Sequence, residues 1–451
     1  MGEYEQSVTR SQREVYDWID ANWFPVILGG ATLLLTVATL YEFAENPWYI
    51  HKDSALFQHA GWYIGQGAHL YVDIWDLKPP LIYAVSTLLA FLSFGNMHLL
   101  HVYGIVVAVA AMIAGVTLTG VITHRLTDDG FASVVAAASI FVVTSTYLFP
   151  YAGIRPKYLA FCCSAAALLL AIEDRPLYSG IAAALAAGFW QLGALVGFLV
   201  VAMAYDRSGR PGMLRAIAGG VAVAVATVLP FVLAGDATAL FVEVVLGPIY
   251  GVVHYTIPGR LLRTVIELGW GILLIPLGVY AWGRALAADY RRYWWLAVGG
   301  GLYLLQLFLE FQGAIELILL VLFLALGVGV LVAEIDSRSR RVLVACGILL
   351  LVGGSLYWNA ASVTPVKDSV EAQYDHWDVP DYPSLPADPA GWPSMQAIYW
   401  GKLQPRYCNY RLGDKQKYFQ QQTDGSLYKR QCGQWPYDES PVAWIEHGFP
   451  T

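Results

Sequence analysis

Eleven apolar runs leave this chain few ways to fold. They lie at about 23–41, 99–122, 131–148, 158–172, 179–190, 191–204, 215–234, 269–283, 294–309, 315–333 and 341–358. A helix of roughly 17–25 apolar residues crosses a bilayer core, where lipid offers the backbone no hydrogen-bond partner. Only 14% of the residues are charged, against roughly 25% in soluble domains, so most of the chain does not face water. The expected fold is an all-α polytopic membrane protein. The fifth and sixth runs are short and abut at "GFWQLG", which predicts a broken helix pair turning near Gln191.

Charge sets the expected topology. The first run follows a polar, mixed-charge start without a small-residue cleavage site, so it reads as a retained membrane helix after a cytoplasmic segment 1–22. A further apolar stretch, Pro79–Phe94, is shorter and opens on Pro-Pro. If it lies on the surface, the inside segments hold thirteen arginines (Arg10, Arg13, Arg125, Arg175, Arg207, Arg210, Arg215, Arg284, Arg291, Arg292, Arg338, Arg340, Arg341). The outer loops then hold six basic residues, Lys52, Lys78, Arg155, Lys157, Arg260 and Arg263. That satisfies the positive-inside rule; a crossing at 79–94 would move Arg207, Arg284 and the Arg338–Arg341 cluster outside. The reading is eleven crossings, N-terminus in and C-terminus out. A membrane domain spans 23–358, and its large first outer loop, 43–97, carries two surface helices, Asp53–Gly65 and one from Pro79.

Residues 359–451 are polar and rich in Tyr, Trp and Pro, an extracellular tail with a small domain expected from Gln396 onward. Cys162, Cys163 and Cys346 fall in apolar runs. Cys408 and Cys432 lie in the tail, at a spacing that suits one disulfide in an oxidising compartment. The net charge of −7 and the lack of a basic stripe argue against a nucleic-acid partner.

In so apolar a chain, the stretch "YVDIWDLKPP" (Tyr71–Pro80) gathers two aspartates and a lysine for a reason other than stability, since burying unpaired charge is costly. The outer loops bring Asp53, Asp73, Asp76, Lys78, Arg155, Lys157, Asp236, Glu243, Arg260 and Arg263 to one leaflet. Lysine and arginine there can hold the phosphate of a lipid-linked substrate. A carboxylate beside them can take a proton from an attacking hydroxyl. Plainer roles fit the same residues. Asp53 ahead of a helical stretch serves equally as an N-cap, Asp73 and Asp76 as loop-folding residues, and Lys78 as a snorkelling cation at a helix start. Arg260 and Arg263 share a helical face on which Glu267 can pair with them. His98 and His101 read as interfacial. His51, His59 and His69 around Asp53 follow no metal signature.

The stretch "HKDSALFQHAGWYIGQGAHLYVDIWDLKPPLIY" resembles the first outer loop of the GT-C glycosyltransferases. It is most similar to the branch of protein O-mannosyltransferases and aminoarabinose transferases and its archaeal dolichyl-phosphate-mannose relatives. Asp53 matches the family's acidic position. Gly67, Tyr71, Asp73, Trp75, Asp76, Lys78, Pro79 and Pro80 match its "G…Y.D.WD.KPP" pattern. "YLFPYAGIRPKYLAF" resembles the second outer loop, with Arg155 and Lys157 where bacterial members have an aspartate. "GFWQLG" resembles the broken-helix turn, and "QAIYWGKLQPRYCNYRLG" the terminal outer segment.

The resemblance implies a GT-C-like bundle that moves a sugar, with inversion, from a polyprenyl phosphate to a hydroxyl on the outer face. Mannose from dolichyl-phosphate-mannose and a glycan acceptor in S-layer-type N-glycosylation are its nearest instance. A different sugar, a protein or lipid acceptor, or a lipid-linked-sugar flippase are the rival readings. It implies Asp53 as general base and Lys78 as the phosphate holder, with Asp76 or Asp73 stabilising charge. Tyr71, Arg155, Lys157, Arg260 and Arg263 are the substrate-binding candidates. No cofactor is implied.

Overall fold

The computed structural model describes residues 14–74, 76–246, 248, 257–309, 313–362 and 395–402. Among them the structure is helical, with one isolated bridge between Leu70 and Ile74. The apolar runs fold as α1 (Trp23–Glu45), α4 (Met97–Thr127), α5 (Gly130–Ser139), α6 (Pro156–Ile172), α7 (Pro176–Phe189), α8 (Ala194–Ala234), α10 (Leu274–Ala288), α11 (Tyr290–Leu309), α12 (Ile318–Ala333) and α13 (Arg338–Ser362). Between them come the outer-loop helices α2 (Lys52–Ile64) and α3 (Leu81–Leu92), then α9 (Ile257–Leu268), with α14 (Met395–Trp400) last. The runs 191–204 and 215–234 form the two halves of α8, two helices that meet at a kink at Gly209 (φ 61°, ψ −155°). Only glycine adopts that conformation without strain.

Among the described residues, six segments are long and apolar enough to cross a membrane by length and composition: Trp23–Glu45, Met97–Thr127, Gln191–Ala234, Thr264–Ala288, Ala314–Ala333 and Arg338–Asn359. Helices α3, α6 and α7 and the segment Gly130–Val142 are apolar but shorter. A helix apolar on every side belongs in the middle of a bundle, and α12 is buried along almost its whole length between α10, α5 and α4. Helices α8 and α13 instead turn Phe198, Leu233, Leu343, Leu350 and Tyr357 outward. Such contiguous apolar faces suit lipid and not water. At one end of the bundle Arg341 holds Asp129 and Tyr16, and Arg338 holds Asp17 at 3.0 Å.

The site lies at the other end. Helices α2 and α3 have 13 and 12 residues, fewer than a bilayer crossing takes. They pack so closely that a Cβ on Gly61 would sit 2.4 Å from the Ser86 carbonyl carbon. Helix α14 returns the chain to this pair. Ile398 and Tyr399 are fully buried, and the Tyr399 hydroxyl donates to the Met97 carbonyl at 2.5 Å. Trp400 packs on Trp48, His98 and His101. His101, expected at the interface, is therefore fully buried. The rest of the tail, with Cys408 and Cys432, lies outside the described residues.

Candidate active site

The "YVDIWDLKPP" loop is folded by its own side chains. Tyr71 is buried at a left-handed φ of 71°. Its backbone N–H reaches the Ile74 carbonyl at 2.8 Å, and its hydroxyl donates to the Lys78 carbonyl at 2.7 Å. Burial, reinforced by Asp76 and Glu243, holds the Tyr71 phenol well above its usual range, so it stays a donor. The buried Asp76 accepts the Lys78 backbone N–H at 3.2 Å through Oδ1 and the Tyr83 hydroxyl through Oδ2. Gln191, at the broken-helix turn, donates to the Leu77 carbonyl. Both peptide groups of Lys78 are thus gripped while its side chain is left half-buried. Asp73 takes the His69 backbone N–H at 2.7 Å. The two loop aspartates do fold the loop, and Asp76 touches Lys78 directly.

Asp53 lies in the first turn of α2. The N-cap is His51, whose Nδ1 accepts the Asp53 backbone N–H at 3.1 Å. The N-cap alternative for Asp53 is thereby excluded, and its carboxylate, 44% exposed, stands at the positive end of the helix dipole. Burial, with the Arg155 charge next, pushes the His51 imidazole down to about 3. His51 is therefore neutral at physiological pH, and accepting at Nδ1 puts its proton on Nε2.

The second outer loop crosses over this turn. The His51 backbone N–H donates to the Ala152 carbonyl at 3.1 Å. Gly153 follows at φ 105°, and a Cβ there would meet the Ser54 Cβ at 2.9 Å. Arg155 comes next, 7% exposed, and its Nε and Nη2 are buried without a hydrogen-bond partner among the described residues. Its guanidinium lies over the Phe149 ring at 5.5 Å. Such a group is expensive to bury unless something anionic comes to meet it.

Lys157 starts α6 and joins the three segments, since the charges of Glu316, Lys78, Arg155 and Asp53 all act on its ammonium. Its direct partner is Glu316, 3.0 Å away, with both side chains nearly buried at 12% and 13% exposure. The Trp190 ring lies 5.7 Å from the ammonium. Lys157 thus has a counter-charge, whereas Nε and Nη2 of Arg155 have no partner among the described residues. Removing one member of a buried pair strands the other charge, whereas replacing both with apolar groups does not. Glu316→Leu alone should destabilise by about 3–5 kcal/mol, and Lys157→Met with Glu316→Leu by far less; melting curves of the three variants in detergent decide it. Equal losses would contradict the buried-pair assignment.

The structure brings together Asp53, Tyr71, Asp76, Lys78, Arg155 and Lys157, while Asp73 of the same loop bonds to His69. Arg260 and Arg263 lie on α9, but their side chains lie outside the described residues. Glu267 of that helix accepts the Ala314 N–H at 3.3 Å. Sequence reasoning missed Tyr83, Gln191 as a clamp on Leu77, and Glu316 as the Lys157 counter-ion. Beside the motif loop opens a groove of about 790 Å³ between α3 (Leu81, Ala84, Thr87) and the second half of α8 (Val223, Ala226, Phe231). No group of three or more His, Cys, Asp or Glu suited to a metal occurs among the described residues.

Comparison with known proteins fits this geometry. In fold, the chain superposes on ArnT from Cupriavidus metallidurans, solved bound to undecaprenyl phosphate, with a TM-score of 0.59 and 11% identity over 84% of this chain and 85% of that one. Residues 67–229, which run from the motif loop through the groove wall, match the family described as DolP-mannose mannosyltransferase. The chain is thus similar in fold to ArnT and, over residues 67–229, in sequence to the DolP-mannose mannosyltransferases. A dolichol phosphate-mannose mannosyltransferase of Haloferax volcanii is 26% identical over 441 residues, covering 90% of this chain and 95% of the relative. The Archaeoglobus fulgidus oligosaccharyltransferase shares the fold at a TM-score of 0.53 and 12% identity, over 96% of this chain and 64% of that one.

Proposed function

We propose that this protein transfers mannose from dolichyl-phosphate-mannose to a glycan acceptor at the outer face of the cell membrane. It is a membrane glycosyltransferase. The observation that carries the reading is the grouping of Lys78 and Arg155, whose Nε and Nη2 have no partner among the described residues, with Asp53, beside an apolar groove. The relatives' shared description supplies the sugar and the lipid.

Asp53 accepts the proton of the acceptor hydroxyl, whose oxygen attacks the anomeric carbon as that carbon's bond to the phosphate oxygen breaks. The displacement inverts the configuration. Dolichyl phosphate leaves with the electron pair, and Lys78 and Arg155 stabilise the charge that grows on it. Asp76, Tyr71 and Gln191 act through Lys78, by fixing its backbone. Arg260 and Arg263 are proposed to extend the basic rim. The polyprenyl chain lies in the groove against α8. The N-terminus faces the cytoplasm, the C-terminus faces out, and the setting is S-layer-type N-glycosylation in an archaeal cell.

The test uses membranes of a strain lacking this gene, given radiolabelled dolichyl-phosphate-mannose with and without the wild-type gene. Label should reach the glycan only when the gene is present. Consumption of a different lipid-linked sugar, with mannose left untouched, would contradict the sugar assignment and keep the class.

A further inference from the structure

The groove is mostly apolar, and among its described lining residues a contact between two ionisable side chains is the exception. His69 and Asp236 both line it, with His69 Nδ1 3.0 Å from Asp236 Oδ2. They are 167 residues apart in sequence. His69 belongs to the loop between α2 and α3, and Asp236 follows the end of α8, so the pair joins opposite walls. We infer that His69 and Asp236 form a latch that closes over the polyprenyl chain of the donor and holds it in the groove. This rests on the donor-lipid reading above.

Two further observations make the pair a latch and not a fixed strut. A glycine with a left-handed φ stands beside each partner, Gly67 at 100° and Gly235 at 85°. At both, a Cβ would find nothing within 4 Å, so neither glycine is required by close packing. They serve as hinges, since glycine alone passes freely between the two signs of φ. The histidine is also 56% exposed and Asp236 18%, and a single side-chain hydrogen bond reached by water is weak enough to part and re-form as a lipid passes. The Asp73 carboxylate on the His69 backbone N–H ties the latch to the motif loop. The Phe231 ring, 5.5 Å from Tyr71, continues the same wall.

The first test separates binding from chemistry. Asp236→Asn and His69→Gln should each raise the donor KM roughly fivefold, with kcat nearly unchanged. The exchanged pair, His69→Asp with Asp236→His, should return KM to within about twofold of wild type. A merely structural role would lower the amount of active enzyme and leave KM alone.

The second test uses a photoactivatable polyprenyl phosphate without a sugar. With the native cysteines replaced by serine, His69→Cys with Asp236→Cys is joined by a short cleavable cross-linker in membranes. Labelling of groove residues should fall at least tenfold and return when the linker is cut. Full labelling through the closed linker, or unchanged KM in both single variants, would overturn the latch. Failure of the wild-type groove to take label would overturn the donor-lipid reading as well.

Discussion

Asp53→Asn lowers mannosyl transfer by roughly 10²–10⁴-fold, the range over which a positioned general base acts. Donor KM and melting temperature stay near wild type. The substitution keeps the shape of the side chain and removes only its capacity to take a proton. The backbone N–H of residue 53 still reaches the His51 Nδ1, so the start of α2 is preserved. Asp53→Ala should lose as much activity, and Asp53→Glu should recover part of it. The measurement is initial rates on purified protein, normalised to the fraction that binds polyprenyl phosphate. Full activity in Asp53→Asn would remove this residue from the chemistry and move the search for a base to Glu243, buried at 7% exposure near Tyr71.

Arg155→Met has two effects of opposite sign. Transfer falls roughly 10²–10³-fold, the scale of losing one preorganised charge at a departing oxyanion. The ligand-free protein becomes more stable, by on the order of 1 kcal/mol, because a buried guanidinium with two unpartnered nitrogens is exchanged for an apolar chain of similar length. Stability given up at a site is a mark of function. Arg155→Lys restores little, since a point ammonium does not reproduce the planar guanidinium. A melting curve and a rate measured on each variant suffice. Lower stability together with unchanged transfer would make Arg155 a structural residue.

Much of this architecture was legible in the sequence because lipid imposes a simple rule. A run such as Ile318–Ala333 can satisfy its backbone in a bilayer only as a helix or in a closed barrel, and every apolar run folds as helix. The short apolar stretch Pro79–Phe94 likewise reads as a short helix, and α3 is a 12-residue helix there. The two runs 191–204 and 215–234 were legible as separate helices; what was not is how tight the turn between them is, because the polar stretch around Asp206–Arg215 reads as a loop while its residues stay helical except at Gly209.

The candidate site was legible as a set of residues but not as a set of roles. Asp53, Lys78 and Arg155 stand out because charge is rare here. Nothing in the spacing announces that Glu316 answers Lys157 across 159 residues, that Tyr83 holds Asp76, or that Gln191 reaches Leu77. Those pairings depend on how helices meet, which local sequence does not record. Asp76 shows the consequence. It reads as a catalytic carboxylate by motif, yet its two oxygens accept from Lys78 and Tyr83, so its effect on transfer should pass through Lys78.

The most direct measurement is stoichiometric. Purified wild-type protein in lipid nanodiscs is given dolichyl-phosphate-mannose and a glycan acceptor, and released dolichyl phosphate is counted against mannose gained by the glycan. One released lipid phosphate per mannose transferred, with none released when the acceptor is omitted, is the predicted result. Mannose reaching no acceptor while another polyprenyl-phosphate sugar is turned over, or intact donor merely crossing the bilayer, would contradict the assignment.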